Sequence, residues 1–175
     1  MNKSIPMKWN NIIFIGFMGT GKSTLGRVLA DKLGWDFVDT DHLIEQQEGL
    51  TIPQLFTKYG EAHFRTIESS VIEKVMQRKG QVISTGGGAV LAEINRLKMK
   101  DNGYVVALFA SVETISRRLR GDNNRPLLQG KPEEVIPLML ERRKHAYDFA
   151  DLHIHSDQLS IEQIITSLIT AGRLS

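Results

Sequence analysis

The chain reads as an α/β protein, a parallel sheet covered by helices on both faces. Three observations predict this. Short apolar, β-branched runs alternate with helical patterns along the whole sequence, the order that builds parallel sheets. In the first run, Asn11-Ile12-Ile13-Phe14-Ile15, the four residues after Asn11 are all apolar, as in a strand buried on both faces. Next comes Gly16-Phe17-Met18-Gly19-Thr20-Gly21-Lys22-Ser23, the pattern G-x-x-x-x-G-K-[ST], set between that strand and a helix.

Each element follows from its local pattern. Thr24 to Leu33 carries Leu25, Val28, Leu29 and Leu33 at helical spacing. Trp35 to Val38 is a short second strand that ends in Asp39-Thr40-Asp41. His42 to Gln47 is helical and Gly49 stops it; Thr51-Ile52-Pro53 opens another short helix, with proline in its first turn. Glu61 to Arg78 forms a longer helix with Phe64, Ile67, Val71, Ile72 and Val75 on one side. Gln81 to Ser84 is a strand leaving through Gly86-Gly87-Gly88. Leu91 to Lys100 is helical, Tyr104 to Phe109 a strand, and Val112 to Arg120 a helix. Gly121 to Lys131 is a polar loop closed by Pro132. Glu133 to Phe149 is helical with Pro137 near its start, Leu152 to His155 a last strand, and Ile161 to Ala171 a final amphipathic helix. Met1 to Lys8 reads as a loose tail.

Length and composition set outer bounds. At 175 residues the chain is one domain with room for a substantial core. Hydrophobic residues make up 41% and charged residues 24%, the balance of an ordinary soluble globular protein. A net charge of +2 gives no global field that favours nucleic acid or membrane as a partner. The absence of cysteine excludes disulfides and thiolate metal sites, and agrees with a cytoplasmic location. The apolar run near the N-terminus is too short to span a bilayer and leads straight into the glycine loop, so it is no signal peptide.

The strand exits carry the chemistry. Gly16, Gly19 and Gly21 let the backbone turn its N–H groups inward at phosphate oxygens, and the new helix adds its positive end. Lys22 can reach β- and γ-phosphates and the Ser23 hydroxyl can ligate Mg²⁺, so this loop binds ATP or GTP. Asp39 and Asp41 lie two apart at a strand end, on one side of an extended backbone. One can support Mg²⁺ and the other orient or deprotonate an attacking hydroxyl; equally, the pair can be the cap of the next helix. Arg65 and Glu68, three apart on a helix, read by spacing alone as a surface ion pair of little energetic value. Three consecutive glycines after a buried strand, Gly86 to Gly88, suit a backbone that a ligand approaches closely. Arg117, Arg118, Arg120 and Arg125 surround Gly121-Asp122-Asn123-Asn124, a loop able to close over a nucleotide. Arg117 and Arg120 also suit a solvated helix end, whereas Arg125 beside Pro126 is the better phosphate ligand. The five histidines show no metal-ligand spacing.

With these motifs in order, the chain resembles the shikimate kinases, small P-loop kinases of aromatic amino acid biosynthesis, over Asn11 to Ile169. The most specific stretches are Asp39-Thr40-Asp41, Gly60 to Glu68, Ile83 to Gly88 and Arg125-Pro126-Leu127-Leu128. The resemblance implies a three-layer α/β/α fold with a five-stranded parallel sheet, a lid loop and a small helical substrate-binding subdomain. Within a single domain of residues 1–175 it implies a phosphate loop with its flanks at 10–33, a substrate subdomain at 39–78 and a lid at 118–131.

The implied reaction transfers the γ-phosphoryl of ATP to the 3-hydroxyl of shikimate, with one Mg²⁺ per site, in a cytoplasmic monomer. The implied ATP site comprises Gly19, Thr20, Gly21, Lys22, Ser23, Thr24, Arg118 and Arg125, with Ser23 and Asp39 at the metal. Lys22, Asp41 and Arg125 are the implied catalytic groups. Asp41, Gly86, Gly87, Gly88, Arg65 and Arg143 would contact shikimate, the two arginines on its carboxylate. Glu68 would hold Arg65, while Phe56 and Phe64 would wall the pocket. The sequence departs from the family at one point. Many members carry Arg-x-Pro-x-Tyr, and here Arg143-Lys144-His145-Ala146-Tyr147 has His145 in place of proline, which leaves Arg142 as the alternative to Arg143. Competing readings are another small-molecule P-loop kinase, such as a gluconate or nucleoside monophosphate kinase, and a non-catalytic binding protein. Asp41, Arg65 and the triple glycine argue against the first, and the intact lysine, acidic and arginine set against the second.

Overall fold

Five parallel strands form the centre of the structure, a computed structural model that describes residues 7–120 and 132–173. They are β1 (Asn11–Gly16), β2 (Asp36–Asp39), β3 (Gln81–Ser84), β4 (Tyr104–Phe109) and β5 (Leu152–His155), in the order β2-β3-β1-β4-β5. β1 is fully buried because it occupies the middle, with Ile13 opposite Ile83 on one side and Val105 on the other. Alternate residues of β1 face opposite ways. Ile13 and Ile15 meet a cluster with Ile67, Ile72 and Met99, whereas Ile12 and Phe14 meet one with Leu29, Leu33 and Ile165. This explains an apolar run with no polar alternation. The predicted strands hold, with β1 extended to Gly16 and β2 shifted one residue to Asp36–Asp39.

Helices α1 (Lys22–Leu33) and α7 (Ile161–Gly172) cover one face. The other carries α2 (Thr40–Glu48), α3 (Ile52–Met76) and α4 (Glu93–Asn102). The two helices expected over residues 51–78 form one run, α3, opened by a Thr51–Gln54 capping box and interrupted at Gly60 (φ 82°, ψ 170°). α4 begins at Glu93 rather than Leu91, because a single 3-10 turn, Ala89–Leu91, precedes it. α5 (Val112–Leu119) and α6 (Pro132–Arg143) pack with Phe17 through Ile115, Leu119 and Ile136.

Two expectations need correction. The helix predicted to run from Glu133 to Phe149 ends at Arg143. The chain continues in turns, Ala146 N to Arg143 O at 2.9 Å and Ala150 N to Tyr147 O at 3.1 Å, which drive the Tyr147 ring into the core. The tail is not loose throughout. Met7 pairs with Arg173, the Lys8 N–H donates to the Gly172 carbonyl at 2.9 Å, and Trp9 stacks on Tyr104 with centroids 3.8 Å apart. The predicted lid lies at 118–131, and its residues 121–131, Arg125 included, are outside the described residues. Among the described residues no helix is long and apolar enough to cross a membrane.

The strand order reverses around β1: the chain passes from β1 beyond β3 to β2, returns to β3, then crosses to β4. Ligands of open parallel sheets sit at the carboxyl ends of strands at such a switch point. The phosphate loop, Asp39-Thr40-Asp41 and the triple glycine all lie there.

Candidate active site

β1 turns into the phosphate loop at Gly16, whose φ of 143° and contact with the Leu108 carbonyl oxygen leave no space for a Cβ. The Lys22 side chain folds back over the loop. Its ammonium donates to the carbonyls of Gly16 and Phe17, both at 2.9 Å, and the residue is buried. Thr20 Oγ1 donates to the Phe17 carbonyl at 2.8 Å, which closes the loop from within. Arg118, reaching from α5 and exposed like Arg117 and Arg120, donates to the Gly19 carbonyl at 2.9 Å.

At the first helix the Ser23 hydroxyl donates to Asp39 Oδ2 at 2.7 Å and lies 3.1 Å from the Ser84 hydroxyl. The other oxygen of Asp39 accepts from the N–H groups of Asp41 (3.1 Å) and His42 (3.3 Å), capping α2. The choice between cap and cleft is therefore not exclusive: Asp39 caps with one oxygen and faces Ser23 with the other. No group of three or more His, Cys, Asp or Glu among the described residues forms a metal cage. A hydroxyl and a carboxylate oxygen side by side do fit Mg²⁺, which takes one or two protein oxygens and completes its shell with phosphate and water.

Asp41, in the first turn of α2, approaches the glycine loop from above. A methyl group at Gly86 would stand 2.5 Å from Asp41 Oδ1 and 2.9 Å from Glu68 Oε1; one at Gly88 would collide with the Arg65 guanidinium. Gly86 and Gly88 are thus small because the protein's own charged groups come this close. Gly87 packs on the phosphate loop at Met18, and its carbonyl accepts from Arg143 Nη1 at 3.2 Å and the Tyr147 hydroxyl at 3.5 Å. A cleft of about 510 Å³ joins Gly19, Gly21 to Thr24, Asp39, Asp41 and Gly87. Arg65 and Arg143 do not line it; Arg65 closes on Gly88 and Arg143 bonds the Gly87 carbonyl.

The Arg65–Glu68 pair is not the surface pair that spacing suggests. Glu68 is 1% exposed and accepts from Arg65 Nη1 at 2.8 Å, while Arg65 also bonds Glu61 at 3.0 Å. Burial raises the pKa of Glu68, the Asp41 charge adds to this, and Arg65 opposes both. For Arg65, burial works against the charge but Glu68 and Glu61 together outweigh it and raise the pKa. The Oε1 atom of Glu68 is buried without a hydrogen bond, beside Gly86. Arg143 is 7% exposed and Arg142 lies in solvent. Burial lowers the pKa of Arg143, Tyr147 counters, and the nearby charge of Arg65 lowers it further, so the two guanidinium groups share one region. Arg143 stacks over Phe17 at 5.6 Å. Phe64 is buried against Phe56, their centroids 4.8 Å apart, and Arg65 lies over the Phe64 ring at 5.2 Å.

The match to known proteins is specific. A family model described as shikimate kinase covers residues 18–172. The chain belongs to the shikimate kinase family. A shikimate kinase from Geobacter sulfurreducens is 42% identical over 171 residues, 97% of this chain and 94% of that one. The solved structure of a shikimate kinase from Acinetobacter baumannii in complex with shikimate superposes with a TM-score of 0.90 at 40% identity, covering 94% and 93% of the two chains. A gluconokinase from Sinorhizobium meliloti shares the fold alone, at 16% identity and a TM-score of 0.58, covering 96% and 92%. Within the shikimate kinase fold, the sequence singled out Lys22, Ser23, Asp39, Asp41, Arg65, Glu68, the three glycines and Arg143, and the structure groups these at the carboxyl ends of β1, β2 and β3. It did not single out Glu61, Ser84 or Phe17 as members of the site. The signal for Glu61 was present: it stands four residues before Arg65 on one helix face.

Proposed function

We propose that the protein transfers the γ-phosphoryl group of ATP to the 3-hydroxyl of shikimate, giving shikimate 3-phosphate and ADP in the cytoplasm. One observation carries the reading: a phosphate loop with a buried lysine, an acidic pair and a glycine loop backed by two arginines meet at the adjoining carboxyl ends of β1, β2 and β3. Family membership supports the acceptor, and the two guanidinium groups supply a planar recognition of carboxylate that a neutral polyol lacks.

The backbone N–H groups of the loop and Lys22 hold the β- and γ-phosphates, drawing the ammonium from the loop carbonyls onto phosphate oxygen. Ser23 and Asp39 would hold Mg²⁺, which supplies neutralisation of phosphate charge when bound. Arg65 and Arg143 fix the acid's carboxylate, Glu68 fixes Arg65, and the ring stands against Phe56 and Phe64. Asp41 orients the attacking hydroxyl and takes its proton as the new O–P bond forms and the bond to the bridging oxygen of ADP breaks. Positioning and charge neutralisation provide most of the acceleration, since phosphoryl transfer needs little covalent help from the protein.

The test is ADP release from ATP with and without Mg²⁺, with shikimate, gluconate or AMP as acceptor. Stimulation by shikimate alone, dependent on Mg²⁺, is the expected result. Release that ignores shikimate overturns the proposed acceptor.

A further inference from the structure

Two carboxylates of different character bind the guanidinium of Arg65. Glu68 is buried and holds Nη1 at 2.8 Å. Glu61 is half-exposed and takes Nη2 at 3.0 Å and Nε at 3.3 Å, both through Oε1. Nε and Nη2 form the side-on fork that carboxylates grip in bidentate pairs. The charge of Glu61 also reaches Arg143, whose protonated form it favours. A carboxylate of the protein itself therefore stands in the field of both arginines, on the solvent side. Gly60 makes this placement possible. Its non-helical backbone interrupts α3, so Glu61 starts a fresh helical run and shares a face with Arg65 one turn later.

We propose that Glu61 is a built-in stand-in for the substrate's carboxylate, occupying the fork of Arg65 in the empty enzyme and giving way to the incoming acid. The inference rests on the reading of Arg65 and Arg143 as the carboxylate clamp. The difference in burial decides which glutamate leaves. Detaching Glu68 would strand a charge in the interior, whereas Glu61 returns to water at little cost. The exchange keeps Arg65 aimed between turnovers, and only an anionic ligand can displace Glu61. It also weakens binding of the acid, because each binding event must break the Glu61 contact. Glu61 is thus a positioning residue that sets the affinity for carboxylates without touching the reacting atoms.

The experiment is calorimetric titration of the full-length protein and its Glu61→Gln and Glu61→Asp variants, with shikimate and separately with cyclohexanecarboxylate, a ring acid without hydroxyls. Glu61→Gln keeps the length and removes the charge; Glu61→Asp keeps the charge and withdraws it by one methylene. Both acids are expected to bind Glu61→Gln about two- to fivefold more tightly than wild type, the range a half-exposed ion pair supplies. Glu61→Asp falls between, and the KM for ATP does not move. Equal or weaker acid binding by Glu61→Gln, or by Glu61→Asp if the first variant folds poorly, overturns the proposal and leaves Glu61 as a prop for Arg65. Tighter cyclohexanecarboxylate binding alongside a wild-type enzyme that ignores shikimate would uphold the exchange while removing the proposed acceptor.

Discussion

Removing Arg143 is the perturbation that tests the site most sharply, because Arg142 beside it serves as an internal control. Arg143 is buried, donates to the Gly87 carbonyl at 3.2 Å and shares its surroundings with Arg65. Truncating one partner of a buried, hydrogen-bonded charge pair costs about 2–5 kcal/mol of binding. At about 1.4 kcal/mol per decade, Arg143→Ala should lower kcat/KM for shikimate by about 30- to 4,000-fold. Arg143→Lys should recover little, since an ammonium cannot reproduce the planar fork. Arg142 points into solvent, so Arg142→Ala should stay within about 0.5 kcal/mol of wild type, roughly twofold. The assay is coupled ADP release with shikimate titrated at saturating ATP, then ATP at saturating shikimate. Gly87 keeps the Tyr147 hydroxyl as a second donor, so the loop retains an anchor in the variant. Equal losses for Arg142→Ala and Arg143→Ala, or an Arg143→Ala defect as large in the KM for ATP, would refute the reasoning.

Two further predictions address the groups behind the glycine loop. Gly88→Ala places a methyl group 2.5 Å from Arg65 Nη1 and 2.7 Å from Cζ, and the guanidinium is pinned by Glu61 and Glu68. Overpacking of this kind costs about 1–3 kcal/mol, so thermal denaturation should show a Tm lower by about 2–10 °C together with a higher KM for shikimate; an unchanged Tm contradicts the close packing. Glu68 titrates above the ordinary glutamate value in the folded protein, so the folded chain binds its proton more tightly than the unfolded chain does. That contribution is complete below the ordinary value, about 4.3, and is lost as pH rises through the raised one. Denaturation midpoints across this window should therefore fall for wild type relative to Glu68→Gln; a difference between the two that does not vary with pH sinks the assignment.

Much of the fold was legible because it rests on short-range patterns. Short runs such as Ile12 to Ile15 and Val105 to Leu108, rich in β-branched residues, read as strands buried on both faces, and Leu25, Leu29 and Leu33 fix the inner side of α1. The phosphate loop was legible for the same reason, since eight consecutive residues carry its geometry. The end of α6 was not. Arg142-Arg143-Lys144-His145-Ala146 contains no helix breaker, and the chain leaves the helix because Tyr147 finds a buried position under Gly87 and against Phe109. Met7 and Lys8 gave no signal either, because their partners, Gly172 and Arg173, stand at the far end of the chain.

The sequence by itself determined the layered sheet, the phosphate loop and the residue types of the site: a lysine, two aspartates, three glycines and a choice of arginines. Tertiary structure alone decided which arginine is buried beside the glycine loop and which ion pair is taken out of water. One step along a helix turns a side chain by about 100°. Arg142 and Arg143 are chemically identical, and the seating of α6 against Phe17 and Gly87 sends one inward and the other to solvent. Arg65 and Glu68 are likewise an unremarkable pair at helical spacing. The packing of α3 under the glycine loop takes them out of water, and only there does their charge bear on the cleft.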